Sequence, residues 1–157
     1  MDYFESFGIE VGNGKYHEEA VYGIALVYAA LYNNISAYLN KYGLTPAKMN
    51  VLMITKHQGQ AKGISQVDIG KRLMVTASNM TRLLDKLERE GLINRSALAG
   101  DRRVKIIKVT PKASKLLDMM WPGYQTRLKA LANEMPKEDQ KVMAGLLQKW
   151  LGRLVKA

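Results

Sequence analysis

The sequence predicts a mainly α-helical chain carrying one small β-hairpin, and three observations lead to that class. First, apolar residues recur at helical spacing through most of the chain, as with Met80, Leu83, Leu84 and Leu87 inside residues 76–90. Second, the pattern changes after Gly91. Leu92-Ile93-Asn94-Arg95 reads as the start of an extended strand, "SALAGDRR" as a turn, and residues 104–109 as a returning strand. Third, Thr45-Pro46 and Thr110-Pro111 repeat one helix-start signal, a capping hydroxyl followed by a proline whose missing N–H costs nothing at the first position. Helices followed by a basic β-ribbon have the order of a winged helix-turn-helix.

Taken in order, residues 1–16 are weakly patterned around a Gly12-Asn13-Gly14 turn and read as a short arm. Residues 17–42 read as a long helix, apolar around much of its surface, which requires burial on more than one side. Gly43 ends it. Its strongly apolar part spans only residues 20–32 before Asn33, Asn34, Ser36 and Asn40, which is too short to cross a bilayer, so no membrane partner is expected. The Thr45-led helix turns Met49, Leu52 and Met53 inward and ends near Gly59. Ser65 caps the next, with Asp68 in its first turn and Ile69 and Leu73 inward. Thr76 caps the helix over residues 76–90. The Thr110-led helix is interrupted or kinked at Pro122-Gly123 and resumes toward Asn133. Residues 136–155 form a last amphipathic helix with Val142, Met143, Leu146, Leu147, Trp150, Leu151 and Leu154 inward.

Where the charge sits says more than its sum. The chain carries 24 Lys and Arg against 14 Asp and Glu, a formal +10. Residues 41–115 hold 16 of the cations and 5 of the anions, or +11, and the remainder holds 8 and 9, or −1. A basic excess confined to one module fits a polyanion partner, because neutralised phosphates release their condensed counterions. The absence of cysteine excludes disulfides, thiolate metal sites and cysteine-based redox sensing. No Ser-His-Asp set, phosphate-cradling glycine loop or nucleotide motif is present, so neither enzymatic activity nor a cofactor is expected. With no basic region leading into an apolar stretch at the N-terminus, the expected location is cytoplasmic.

The runs "TRLLDKLEREGLINR" and "GDRRVKIIKVTPKA" resemble the multiple antibiotic resistance regulator (MarR) family of bacterial transcription regulators. Asp101-Arg102-Arg103 matches the family's Asp-x-Arg wing motif, and Val109-Thr110-Pro111 its helix start. The motifs cover residues 44–117. The wing turn "SALAG" is less polar than the family's usual turn, and Ala113 stands where glycine is common. The resemblance implies a single domain over residues 1–157, with a winged-helix module at 44–111. It also implies a homodimer built by helices within 17–42 and 112–155. Such a dimer would set two recognition helices in successive major grooves of a near-palindromic double-stranded DNA operator, with the wings in the flanking minor grooves.

Within that frame each side chain has an expected role. Ser78, Asn79 and Arg82 lie toward the N-terminal half of the recognition helix and suit base edges, Arg82 with guanine and Asn79 with adenine. Thr76, Thr81 and Lys86 suit phosphate, as does Ser65 or Gln66. Arg95 belongs to the same DNA-facing set. Arg103 is expected in the minor groove, with Asp101 bracing the turn and Arg102 or Lys105 on the backbone. An apolar patch on that helix would instead suit a protein–protein module, and a winged helix can also bind DNA without sequence preference.

The resemblance further implies a small aromatic or anionic effector that releases a repressor from DNA. Seven of the eight tyrosines fall in the first 42 residues, and Tyr28 and Tyr32 share a helix face. Together with Met119 and Trp121 they could line an effector crevice or simply pack an interface. His17 and His57 are too sparse to suggest a metal site, and Glu18 and Glu19 suit the dipole at a helix N-terminus.

Overall fold

Four hydroxyls set where the helices of the winged module begin. Thr45 accepts from the Lys48 amide at 3.3 Å, Ser65 from Asp68 at 3.0 Å, Thr76 from Asn79 at 3.4 Å and Thr110 from Ala113 at 3.2 Å. Each satisfies an amide that the first helical turn leaves without a partner. The computed structural model describes residues 3–156 except residue 99 and the side chain of Arg102. Its helices are α1 (Tyr3–Ser6), α2 (Tyr16–Leu39), α3 (Pro46–Gly59), α4 (Gln66–Leu73), α5 (Ala77–Arg89), α6 (Pro111–Asn133) and α7 (Lys137–Leu154). A 3-10 turn over Asn40–Tyr42 closes α2 at Gly43.

Three strands complete the module: β1 (Ile64–Ser65), β2 (Ile93–Leu98) and β3 (Asp101–Val109), antiparallel in the order β1-β3-β2. The sequence pattern showed only the hairpin. β1 is too short for alternation to reveal, and it exists because Gly63 turns the chain onto Ile106 and Ile107. A Cβ at Gly63 would lie 2.6 Å from the Ile106 side chain and 2.8 Å from the Ile107 carbonyl oxygen, and its φ of +81° also favours glycine. The hairpin is longer than expected. Ser96 and Ala97 pair with Ile106 and Lys105, so most of the expected turn is strand. Backbone pairing outweighs the weak strand preference of Ser-Ala-Leu.

The core lies where α3, α4 and α5 meet the sheet: Leu52, Ile69, Met80, Leu84, Leu87, Ile93 and Ile107 are all fully buried. Val51 joins them, while Met53 and Leu73 are only half-buried. Lys48 is buried too. Its ammonium donates to both Glu90 carboxylate oxygens at 2.7 Å and to the Gly43 carbonyl at 3.2 Å. The Glu90 carbonyl in turn accepts from Lys112 at 2.8 Å, so the C-terminus of α5 is held from α3 and from α6. The N-terminal arm folds back on α2. The Phe4 ring occupies the notch left by Gly23, where a Cβ would come within 2.7 Å of it, and the Gly12 amide donates to Glu19.

The chain divides into two compact units, residues 1–120 and 121–157. Three expectations change. α6 is one helix through Pro122; the lost Pro122 N–H costs about 3 kcal/mol, which the helical runs on both sides outweigh. The inward face expected of α7 is not buried: Val142, Leu146 and Leu154 are each more than 60% exposed, and the helix buries none of its residues. α2 is similar, burying only Gly23 and Leu39 while Tyr22, Val27 and Tyr28 stand exposed. Its asparagines do not break it. With the 3-10 turn it forms a 27-residue helical span whose most apolar 18-residue window has a mean hydropathy of 1.2, so length alone no longer excludes a bilayer crossing. Both helices thus present apolar faces that a single chain leaves uncovered.

Candidate nucleic-acid interface

α5 has the two-sided character a groove-binding helix needs. Met80, Leu84 and Leu87 fix one side in the core, while Ser78, Asn79, Thr81, Arg82 and Lys86 lie on the exposed side. α4 leads into it through a tight turn. Met74 takes a left-handed φ of 51°, and the Val75 amide returns to the Gly70 carbonyl at 3.3 Å. That turn sets the two helices as a helix-turn-helix pair.

The polar side chains around α5 divide by whether they are already engaged. Gln66 of α4 donates to the Thr81 hydroxyl at 2.9 Å, and Thr81 donates to the Ala77 carbonyl at 3.0 Å. Thr76 and Ser78 share a hydrogen bond at 3.2 Å, and Ser65 donates to Asp68 at 2.6 Å. Arg82 and Lys86, by contrast, have no ion pair or hydrogen bond to other side chains among the described residues. Two exposed cations without internal partners are free to meet phosphate or base edges.

β2 and β3 stand beside α5 as the wing, and Arg95 joins the two. Its side chain is only 16% exposed, and its guanidinium donates from Nε to Glu88 at 2.9 Å and from Nη2 to Asp85. Arg95 is thus engaged with α5 itself and not extended toward solvent. The spacing Asp85-x-x-Glu88 followed by a strand arginine was readable in the sequence, but nothing there said which face of the strand would carry it. At the far end of the wing the Asp101 carboxylate accepts from the Arg103 amide at 2.9 Å. Arg103 and Lys105 are exposed beside it. The Arg102 side chain and the residue-99 tip lie outside the described residues.

The expected effector residues lie on α2 and α6. Tyr28 and Tyr32 sit ring to ring at 5.8 Å on α2, both exposed, and Met119 is exposed. Trp121 stacks on Tyr124 at 5.4 Å, and burial pushes the Tyr124 phenol above its ordinary range. Sequence reasoning missed the Lys48–Glu90 clamp. A lysine at 48, one helical turn before Leu52 on the buried side of α3, was the available signal.

The comparisons agree with this geometry. The MarR family model matches residues 44–105, which span α3 through most of the wing. The chain is 34% identical to the HTH-type transcriptional regulator YfiV of Bacillus subtilis over 107 residues, covering 68% of this chain and 65% of that one. It is 25% identical to the HTH-type transcriptional regulator MhqR of the same organism over 126 residues, covering 80% and 85%. Among solved structures it is similar to S. aureus MepR in complex with DNA, with a TM-score of 0.78 and 26% identity over 85% of this chain and 96% of that one. The two Bacillus relatives are named as transcriptional regulators. With α4 and α5 as the helix-turn-helix and β2 and β3 as the wing, the chain carries a MarR family domain over residues 44–105.

Proposed function

We propose that this chain is a cytoplasmic, sequence-specific repressor. It binds a near-palindromic double-stranded DNA operator as a homodimer and lets go when a small aromatic or anionic effector binds. The observation that carries the reading is the pair Arg82 and Lys86, exposed and without internal partners on α5. Arg82, with Ser78 and Asn79, reads base edges, and Lys86 holds phosphate. Arg103 enters the minor groove, its backbone set by Asp101, and Lys105 stays on the phosphates.

The dimer reading is supported by the exposed apolar side chains of α2 and α7, among them Tyr22, Val27, Val142 and Leu146, because contiguous exposed apolar surface marks a protein interface. The same faces account for the apolarity of α2 without a membrane. The effector reading is supported by the exposed Tyr28–Tyr32 pair, a phenol-rich surface suited to a planar ligand. Sedimentation velocity of protein mixed with a labelled operator tests the assembly. Two chains per duplex are expected, and aromatic carboxylates should shift the boundary back to free DNA. A single chain per duplex would overturn the dimer.

A further inference from the structure

The hydroxyl of Thr81 is already spent. It accepts from Gln66 at 2.9 Å and donates to the Ala77 carbonyl at 3.0 Å, which leaves little capacity for a phosphate. What Thr81 still offers on the exposed face of α5 is its methyl group. Ala77 stands one helical turn earlier and is also exposed, so the two methyls fall on one strip. Val67 of α4, 63% exposed, lines the same crevice of about 320 Å³ as Ala77, with Met80 buried at its floor. The result is an apolar strip set into a basic module, beside Arg82 and close to Lys71.

A basic surface excludes most apolar partners, yet DNA offers one apolar group inside a polyanion. The C5-methyl of thymine projects into the major groove, and Ala and the Thr methyl are side chains that contact it. We propose that Ala77, Thr81 and Val67 read thymine methyl groups in the operator, so that Thr81 is a specificity-determining residue and Gln66 a positioning residue that fixes its rotamer. The inference rests on the DNA-binding reading above and deepens it. It assigns an A·T pair to the step that faces the N-terminal turns of α5, next to the base read by Arg82.

The test replaces thymines of the operator one at a time by deoxyuridine, which deletes the methyl and nothing else. Anisotropy titrations then compare the wild type with Thr81→Ser and Thr81→Val. For the wild type, one or two positions per half-site should lose about fourfold in affinity, the fold-change that corresponds to ~0.8 kcal/mol for one buried carbon. Thr81→Ser keeps both hydrogen bonds and deletes the methyl. It should bind the thymine operator about fourfold more weakly and no longer distinguish thymine from deoxyuridine there. Thr81→Val keeps a methyl and should keep the discrimination. If the protein prefers its operator over scrambled DNA but every deoxyuridine substitution is silent, or Thr81→Ser discriminates as the wild type does, the methyl-reading proposal is wrong and the regulator reading stands. No preference for the operator over scrambled DNA would overturn both.

Discussion

Replacing Arg95 with alanine separates two roles that one arginine in a wing can play. In the structure its side chain is mostly buried, and its guanidinium is bonded to Asp85 and Glu88 of α5, whose side chains are 51% and 45% exposed. Hydrogen bonds between charged groups contribute roughly 1.5–3 kcal/mol each when well shielded. The two half-exposed carboxylates are partly screened by water, which lowers the sum. Arg95→Ala should therefore cost about 1–3 kcal/mol, or about 2–12 °C in Tm at 2–4 °C per kcal/mol. Urea denaturation measures the first and thermal unfolding the second. A phosphate contact would behave differently, because each one adds about 0.9 to the slope of log Kd against log salt. With the brace reading that slope stays at its wild-type value while stability falls. Arg95→Lys should be intermediate, since it keeps charge without the forked geometry. Unchanged stability together with a slope reduced by about one would refute the brace and return Arg95 to the DNA-contacting set.

Arg82→Ala should cost roughly 1–3 kcal/mol of operator affinity and relax base preference at one position; unchanged affinity and preference in a base-substitution series would move α5 out of the groove. Lys48→Met leaves Glu90 without its buried partner, and because Glu90 is 34% exposed the loss should be about 1–3 kcal/mol in urea unfolding, short of what a fully buried pair would cost. Gly70→Ala should stabilise by about 0.5–1 kcal/mol, because an added Cβ would meet only the Val75 carbonyl oxygen at 3.9 Å and the helical backbone suits alanine; a lower Tm would contradict this. Leu146→Glu puts a charge on the exposed apolar face of α7 and should give monomers by sedimentation equilibrium, with operator affinity falling alongside. Monomers that bound the operator as tightly as the wild type would separate dimerisation from DNA binding.

The helix starts were legible because their determinants are local: Thr45, Ser65, Thr76 and Thr110 cap the amides their spacing indicated. The same holds for the buried side of α5, where 3.6-residue periodicity singles out Met80, Leu84 and Leu87. What escaped the sequence depends on contacts between distant residues. β1 exists only because Ile64 meets Ile107, and the extra wing length depends on Ser96 finding Ile106. Arg95 looked like any other wing cation until the fold set it over Asp85 and Glu88. The apolar seam of α7 was legible as a seam, but periodicity reports that a face must be covered and not whether its own chain covers it. The candidate site was therefore readable as a surface, with Arg82, Lys86, Arg103 and Lys105 exposed on it, while Thr81 and Gln66 revealed their coupling only in three dimensions.

The central claim, that α5 and its wing read a specific DNA sequence, meets its most direct test in fluorescence anisotropy across a salt series. One duplex carries the DNA upstream of the chain's own gene, and the other is a scrambled sequence of equal length. The account predicts tighter binding to the native duplex, with a gap that persists as salt rises and both affinities fall. Equal binding to both, collapsing together with salt, would contradict it and leave a protein that holds only the DNA backbone.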